Sequence, residues 1–194
     1  MRYLARFLDM SCERGMTCTL IAVFVTSVVV ASPEIAAAQS GYGLDYTQRA
    51  KVGVQDSYRS TRRARDAAAD TYDYSRDTNR MEPAEAKAKS EELGRDISNA
   101  HKALAKSRKE ADKDAETLSA LKSIEKHLAA ATEQHKMLHE ECCKDAVEGS
   151  VCMKHCSQIL TELDKAQAEQ GALIRSMEMK IKSAGTPKKT SQPK

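Results

Sequence analysis

Stepping by three and four residues from Leu121 meets Leu121, Ile124, Leu128, Ala131, His135, Leu138 and Cys142, with polar and charged residues between them. Apolar positions at that spacing share one face of an α-helix, and this seam holds for three heptads. The same stepping from Cys152 gives Cys156, Ile159, Leu163, Ala166, Gln170, Leu173, Met177 and, after one stutter, Ile181. Asp114 (or Asp112) suits an N-cap, Gly149 a C′ residue and Ser150 the cap of a second helix. In an antiparallel hairpin the facing residues have position numbers of nearly constant sum. Cys142 with Cys156, His135 with Leu163, Leu128 with Gln170 and Leu121 with Met177 each give 298, and Ala131 with Ala166 gives 297. The pattern predicts an αα-hairpin of 114–148 and 150–183 turning at Gly149-Ser150.

Upstream, Pro83 stands at a helix start with Glu82, Glu85, Glu91 and Glu92 near the positive end of the dipole. Its seam is Leu93, Ile97, Ala100, Leu104 and Ala111, and a bundle requires the chain to bend near Lys113. Residues 45–80 read as a weaker helix carrying Tyr46, Val54, Tyr58 and Tyr72. Its Arg59, Arg62, Arg63 and Arg65 are interleaved with Asp56, Asp66 and Asp70, which makes a solvated face rather than a binding patch. Between residues 54 and 184 the turn formers are only Pro83, Gly94, Gly149 and Gly171, and no strand-like runs occur. The expectation is all-α: a helical hairpin within a three- or four-helix bundle or an elongated coiled coil, stapled by disulfides at the hairpin tip.

The first residues change the picture of compartment. Arg2, Arg6 and Arg14 precede an unbroken apolar run, Cys18–Ala31, too short for the roughly 20 residues of a spanning helix. Pro33 and Glu34 end it, and Ala36-Ala37-Ala38 supplies small residues for signal peptidase. The reading is a signal peptide over 1–38 cleaved near Ala38, a mature chain beginning Gln39-Ser40, and a periplasmic or extracellular destination. An uncleaved anchor is the competing reading, and no cysteine follows the run closely enough for lipid attachment. The mature chain then divides into 39–82, a weakly patterned helix and linker; 83–184, the bundle with its hairpin 114–183; and 185–194, a basic tail of disordered composition. It holds no Trp or Phe, and its five Tyr lie between Tyr42 and Tyr74. The tail's Lys188, Lys189 and Lys194 suit an anionic envelope component, and the seams leave a protein partner or a homo-oligomer open. Export argues against nucleic acid.

Chemistry concentrates in one string, HKMLHEECCKDAVEGSVCMKHC, holding His135, His139, Cys142, Cys143, Cys152, His155 and Cys156. An even thiol count in an oxidising compartment points to disulfides. Facing seam positions pair Cys142 with Cys156, and Cys143 with Cys152 then nests inside. The crossed pairing Cys142–Cys152 with Cys143–Cys156 stays open. The outer bridge closes a loop of roughly fifteen residues, worth about 3 kcal/mol on the entropic model. The alternative is a metal site. At about 100° per residue, with His135 at zero, Cys142 falls near −20°, His139 near +40° and Cys143 near +80°, so one face offers imidazole and thiolate together. Those seven residues suit Cu(I) or Zn(II). Thiol–disulfide exchange ranks third, since no Cys-x-x-Cys occurs. Gly-x-Ser-x-Gly, His-Glu-x-x-His and a phosphate loop are also missing. The functional expectation is an exported, non-enzymatic helical protein with a structural or interaction role, with a periplasmic metal-binding protein as the alternative.

Overall fold

The structure, a computed structural model, describes residues 33–78, 81–111 and 114–185, with side chains described from Tyr46 to Ala184. The apolar run Cys18–Ala31 and the tail beyond Gly185 lie outside the described residues. The expected cleavage point after Ala38 falls within the first turns of the first helix.

Among the described residues the chain forms α1 (Pro33–Asp77), α2 (Pro83–Glu110), α3 (Ala115–Cys142) and α4 (Gly149–Gly185). Each helix packs on its two neighbours, α1 on α2, α2 on α3, α3 on α4 and α4 back on α1, and the diagonal pairs do not approach. The three connections are short, so successive helices run antiparallel in an up-down-up-down bundle. The predicted all-α class is therefore observed as a four-helix bundle.

Local sequence accounts for the helix ends. Pro83 occupies the first turn of α2, where its missing N–H leaves no bond unmade. α2 ends at Glu110 with Ala111 as its C-cap and α3 starts after Asp114, as separate helices; Lys113, the place of the expected bend, lies outside the described residues. Asp114 caps α3, its carboxylate accepting from the Thr117 amide at 3.2 Å and the Thr117 hydroxyl at 2.8 Å. Lys180 from the end of α4 reaches the same carboxylate at 2.8 Å.

The predicted seams are the core. In α4, Cys152, Cys156, Ile159, Leu163, Ala166, Gln170, Leu173 and Met177 are all buried; in α3 every seam residue but the half-buried His135 is. In α2, Leu93, Ile97, Ala100 and Leu104 are buried, joined by Ala86, Ser90, Ser107 and the C-cap Ala111.

One expectation is corrected, the hairpin register. Ser123 meets Glu169, His127 meets both Glu162 and Glu169, His155 meets Gln134 and Lys180 meets Asp114, so facing positions sum to between 289 and 296 rather than 298. The offset averages about six positions, between one and two helical turns. Its cause is the turn: α3 ends at Cys142 instead of continuing to Glu148, and Gly149 opens α4 instead of ending α3. The Glu148 carbonyl accepts from the amides of Val151 and Cys152, so Glu148 occupies the capping place expected of Ser150. The loop between them is fastened: the buried Glu141 carboxylate accepts from the Glu148 amide at 3.1 Å and pairs with Lys144. Val147 is buried and forms an antiparallel bridge with Met81 in the α1–α2 connection. A Cβ on Gly149 would lie 2.6 Å from the Ser75 carbonyl oxygen, so α1 passes close against the start of α4.

In α1, Val54 is buried, Tyr46 is 43% exposed, and Tyr58 and Tyr72 are half-buried. The face turned inward is Ala50, Val54, Ser57, Thr61, Ala64, Ala68, Thr71 and Ser75. Small side chains allow close approach. Ser57 Oγ donates to the Ala100 carbonyl of α2 at 2.9 Å, and Gln170 Nε2 of α4 donates to Ser57 Oγ at 2.8 Å and Thr61 Oγ1 at 3.1 Å. One polar layer thus joins three helices. The arginines of α1 reach carboxylates at the surface, Arg63 to Asp96 and Arg65 to Asp164, in keeping with a solvated face.

Candidate functional site at the α3–α4 tip

The end of α3 and the start of α4 bring the seven chemistry-bearing residues to one end of the bundle, where they separate into three groups. Successive residues of a helix point about 100° apart, and this divides the adjacent pair Cys142 and Cys143. Cys142 is 1% exposed and faces α4; Cys143, at the C-cap, is exposed to solvent.

The first group is buried thiol. Cys142 Sγ lies 4.0 Å from Cys152 Sγ, and Cys156 sits one turn further along α4, also buried. The two close sulfurs share a proton unequally. The hydrogen bond from Cys142 pulls Cys152 below the usual thiol value against the effect of burial, and the same bond together with burial pushes Cys142 up. Cys152 also stands in the first turn of α4, where amide dipoles favour negative charge. Burial, with the neighbouring Cys152, pushes Cys156 up to about 12.

The second group faces α2. His135 and His139 stack with ring centroids 6.0 Å apart. His135 fits over Gly94, where a Cβ would come within 2.6 Å of its ring, and its Nε2 donates to the Ser90 carbonyl at 2.9 Å. Burial, aided by the positive charge His139 can carry, holds His135 below the usual imidazole value against that hydrogen bond. His139 Nδ1 lies 3.2 Å from Ser90 Oγ, and its Nε2 lies 3.6 Å from Cys143 Sγ. The third group is His155 alone, bonded through Nδ1 to Gln134 at 3.1 Å.

This arrangement corrects both expected sites. The four thiols are unbonded, so the nested pairs Cys142–Cys156 and Cys143–Cys152 are not observed. The register explains why: Cys142 meets Cys152 rather than Cys156, while Cys143 turns outward to His139. The donor set expected for Cu(I) or Zn(II), His135, His139, Cys142, Cys143, Cys152, His155 and Cys156, is not gathered around one point. Among the described residues no group of three or more His, Cys, Asp or Glu side chains could hold a metal ion. The imidazoles are engaged with Ser90 and Gln134 instead. Sequence reasoning missed Ser90, since a serine in an Ala- and Lys-rich helix carries no signal; only its place on the α2 seam, three residues before Leu93, marks it as inward-facing.

No helix among the described residues is long and apolar enough to cross a membrane. No known protein family, curated protein or solved structure matches the chain.

Proposed function

We propose that the protein is exported and serves a structural or interaction role as a rigid four-helix bundle, without catalysis of its own. The observation that supports the role is the cross-bonded interior. Ser57, Thr61, Gln170 and the Ala100 carbonyl tie α1, α2 and α4 together at one level, so the core is committed to holding the bundle. What such a molecule offers to others is its charged outer surface. The export reading rests on the sequence of residues 1–38, whose basic start, short apolar run and Ala36-Ala37-Ala38 suit a cleaved signal. In an oxidising compartment, Cys142 and Cys152 are the pair placed to join the arms at their tip, needing an approach of about 2 Å to reach bonding distance.

The test is mass spectrometry of protein recovered from the exported fraction of producing cells. An N-terminus at Gln39 and a peptide joining residues 142 and 152 support the reading. Recovery in the cytoplasm with residues 1–38 intact would refute export. A bridge between 142 and 156 would refute the proposed closure of the tip.

A further inference from the structure

Of the four thiols at the tip, Cys143 alone meets solvent, and it alone has an imidazole within reach. Sulfur bonds at longer distances than oxygen, so 3.6 Å from Cys143 Sγ to His139 Nε2 is a contact along which a proton can pass. For Nε2 to accept that proton, Nδ1 must carry the other ring hydrogen. Ser90 Oγ, 3.2 Å from Nδ1 and 3.5 Å from His135 Nε2, is the hydroxyl that accepts this hydrogen when His139 takes that tautomer. Ser90 is itself fully buried and held on α2, where its carbonyl receives the His135 Nε2 hydrogen. A surface nucleophile, a base and a group that orients the base thus stand in line across α3 and α2.

We propose that Cys143 is a thiol–disulfide exchange site for low-molecular-weight disulfides, with His139 as its base and Ser90 as the positioning residue. This goes beyond the structural role proposed above and does not depend on export. The Cys143 thiol proton passes to His139 Nε2. The sulfur lone pair attacks one sulfur of the disulfide, its S–S bond breaks, and the electron pair leaves on the departing thiolate. That thiolate takes the proton back from the imidazolium. One thiol and one disulfide give one mixed disulfide and one thiol, and no external oxidant or reductant is needed. Cys142, Cys152 and Cys156 are barred from the same reaction by burial. The outcome is a chain capped at a single position.

The experiment incubates the reduced, folded full chain with glutathione disulfide and maps adducts by peptide mass. The adduct is expected at Cys143 alone, with all four tip thiols reacting once the chain is unfolded in urea. His139→Gln should slow the reaction by about tenfold or more, and added free imidazole should restore part of the His139→Ala rate. Ser90→Ala should slow the wild-type background by a smaller factor and add nothing once His139 is gone, which a merely structural role would not give. Circular dichroism checks that each variant is folded, and His127→Gln, far from the tip, serves as a control with unchanged rate. Adducts on Cys142, Cys152 or Cys156 in the folded chain would overturn the proposal. An unchanged rate in both His139 variants would overturn it equally.

Discussion

Replacing Gln170 by methionine should leave the bundle about as stable as before, although the substitution removes two buried hydrogen bonds. Gln170 is fully buried, and its amide N–H groups donate to Ser57 Oγ and Thr61 Oγ1. Both hydroxyl hydrogens are already committed, Ser57 to the Ala100 carbonyl and Thr61 to the Ser57 carbonyl, each at 2.9 Å. The amide must therefore face them with its nitrogen, which leaves Oε1 buried with no hydrogen-bond partner. Losing two neutral bonds costs about 0.5–1.5 kcal/mol each, while removing an unsatisfied buried carbonyl returns about 1–3 kcal/mol. Neither hydroxyl loses its acceptor. The terms cancel to within about 1 kcal/mol, and methionine fills nearly the same space. Gln170→Ala, by contrast, leaves a cavity and should cost about 2–4 kcal/mol. Urea unfolding followed by far-UV circular dichroism measures both. If Gln170→Met lost more than about 2 kcal/mol, the reasoning would fail, because Oε1 would then be bonded in solution.

Further substitutions test the packing and the caps. Gly149→Ala should destabilise by about 1–3 kcal/mol, since the new Cβ meets a backbone carbonyl that no rotamer change can move. Gly171→Ala should instead stabilise by about 0.5–1 kcal/mol, its nearest neighbour being the Arg175 guanidinium at 3.6 Å. Urea midpoints moving the same way in both variants would contradict the glycine geometry. Burial raises the Asp114 carboxyl, but Lys180 and the Thr117 amide and hydroxyl outweigh it and hold the group below its usual value. A depressed carboxyl contributes stability that is present above the unfolded value near pH 4 and lost as pH falls through the folded one. Asp114→Ala should cost about 1 kcal/mol at neutral pH through the lost cap. A thermal-melt series should show the variant losing less between pH 5 and pH 2 than the parent, and parallel curves would count against the cap.

The helix seams were legible because burial follows a period that the apolar residues repeat. Eight positions of α4 from Cys152 to Met177 illustrate this. The first helix was not legible in the same way. Its inward face is serine, threonine and alanine, types that occur as freely on surfaces, while its tyrosines drew attention and proved only partly buried. The tip was legible in composition but not in geometry. A turn at Gly149 rather than over 143–148 shifts one arm by between one and two turns against the other, and a disulfide pairing or a donor set depends on shifts smaller than that. Ser90 became visible only when α2 was seen packed against α3.

The small-residue interior of α1 has a consequence for temperature. Heat capacity rises on unfolding in proportion to apolar area exposed and falls with polar area exposed. A helix that turns Ser57, Thr61, Thr71 and Ser75 inward beside alanines contributes little to the first and something to the second. The stability curve of this bundle should accordingly be flat for its length, changing slowly between cold and warm conditions and reaching its cold-unfolding limit at lower temperature than a leucine-filled bundle of the same size.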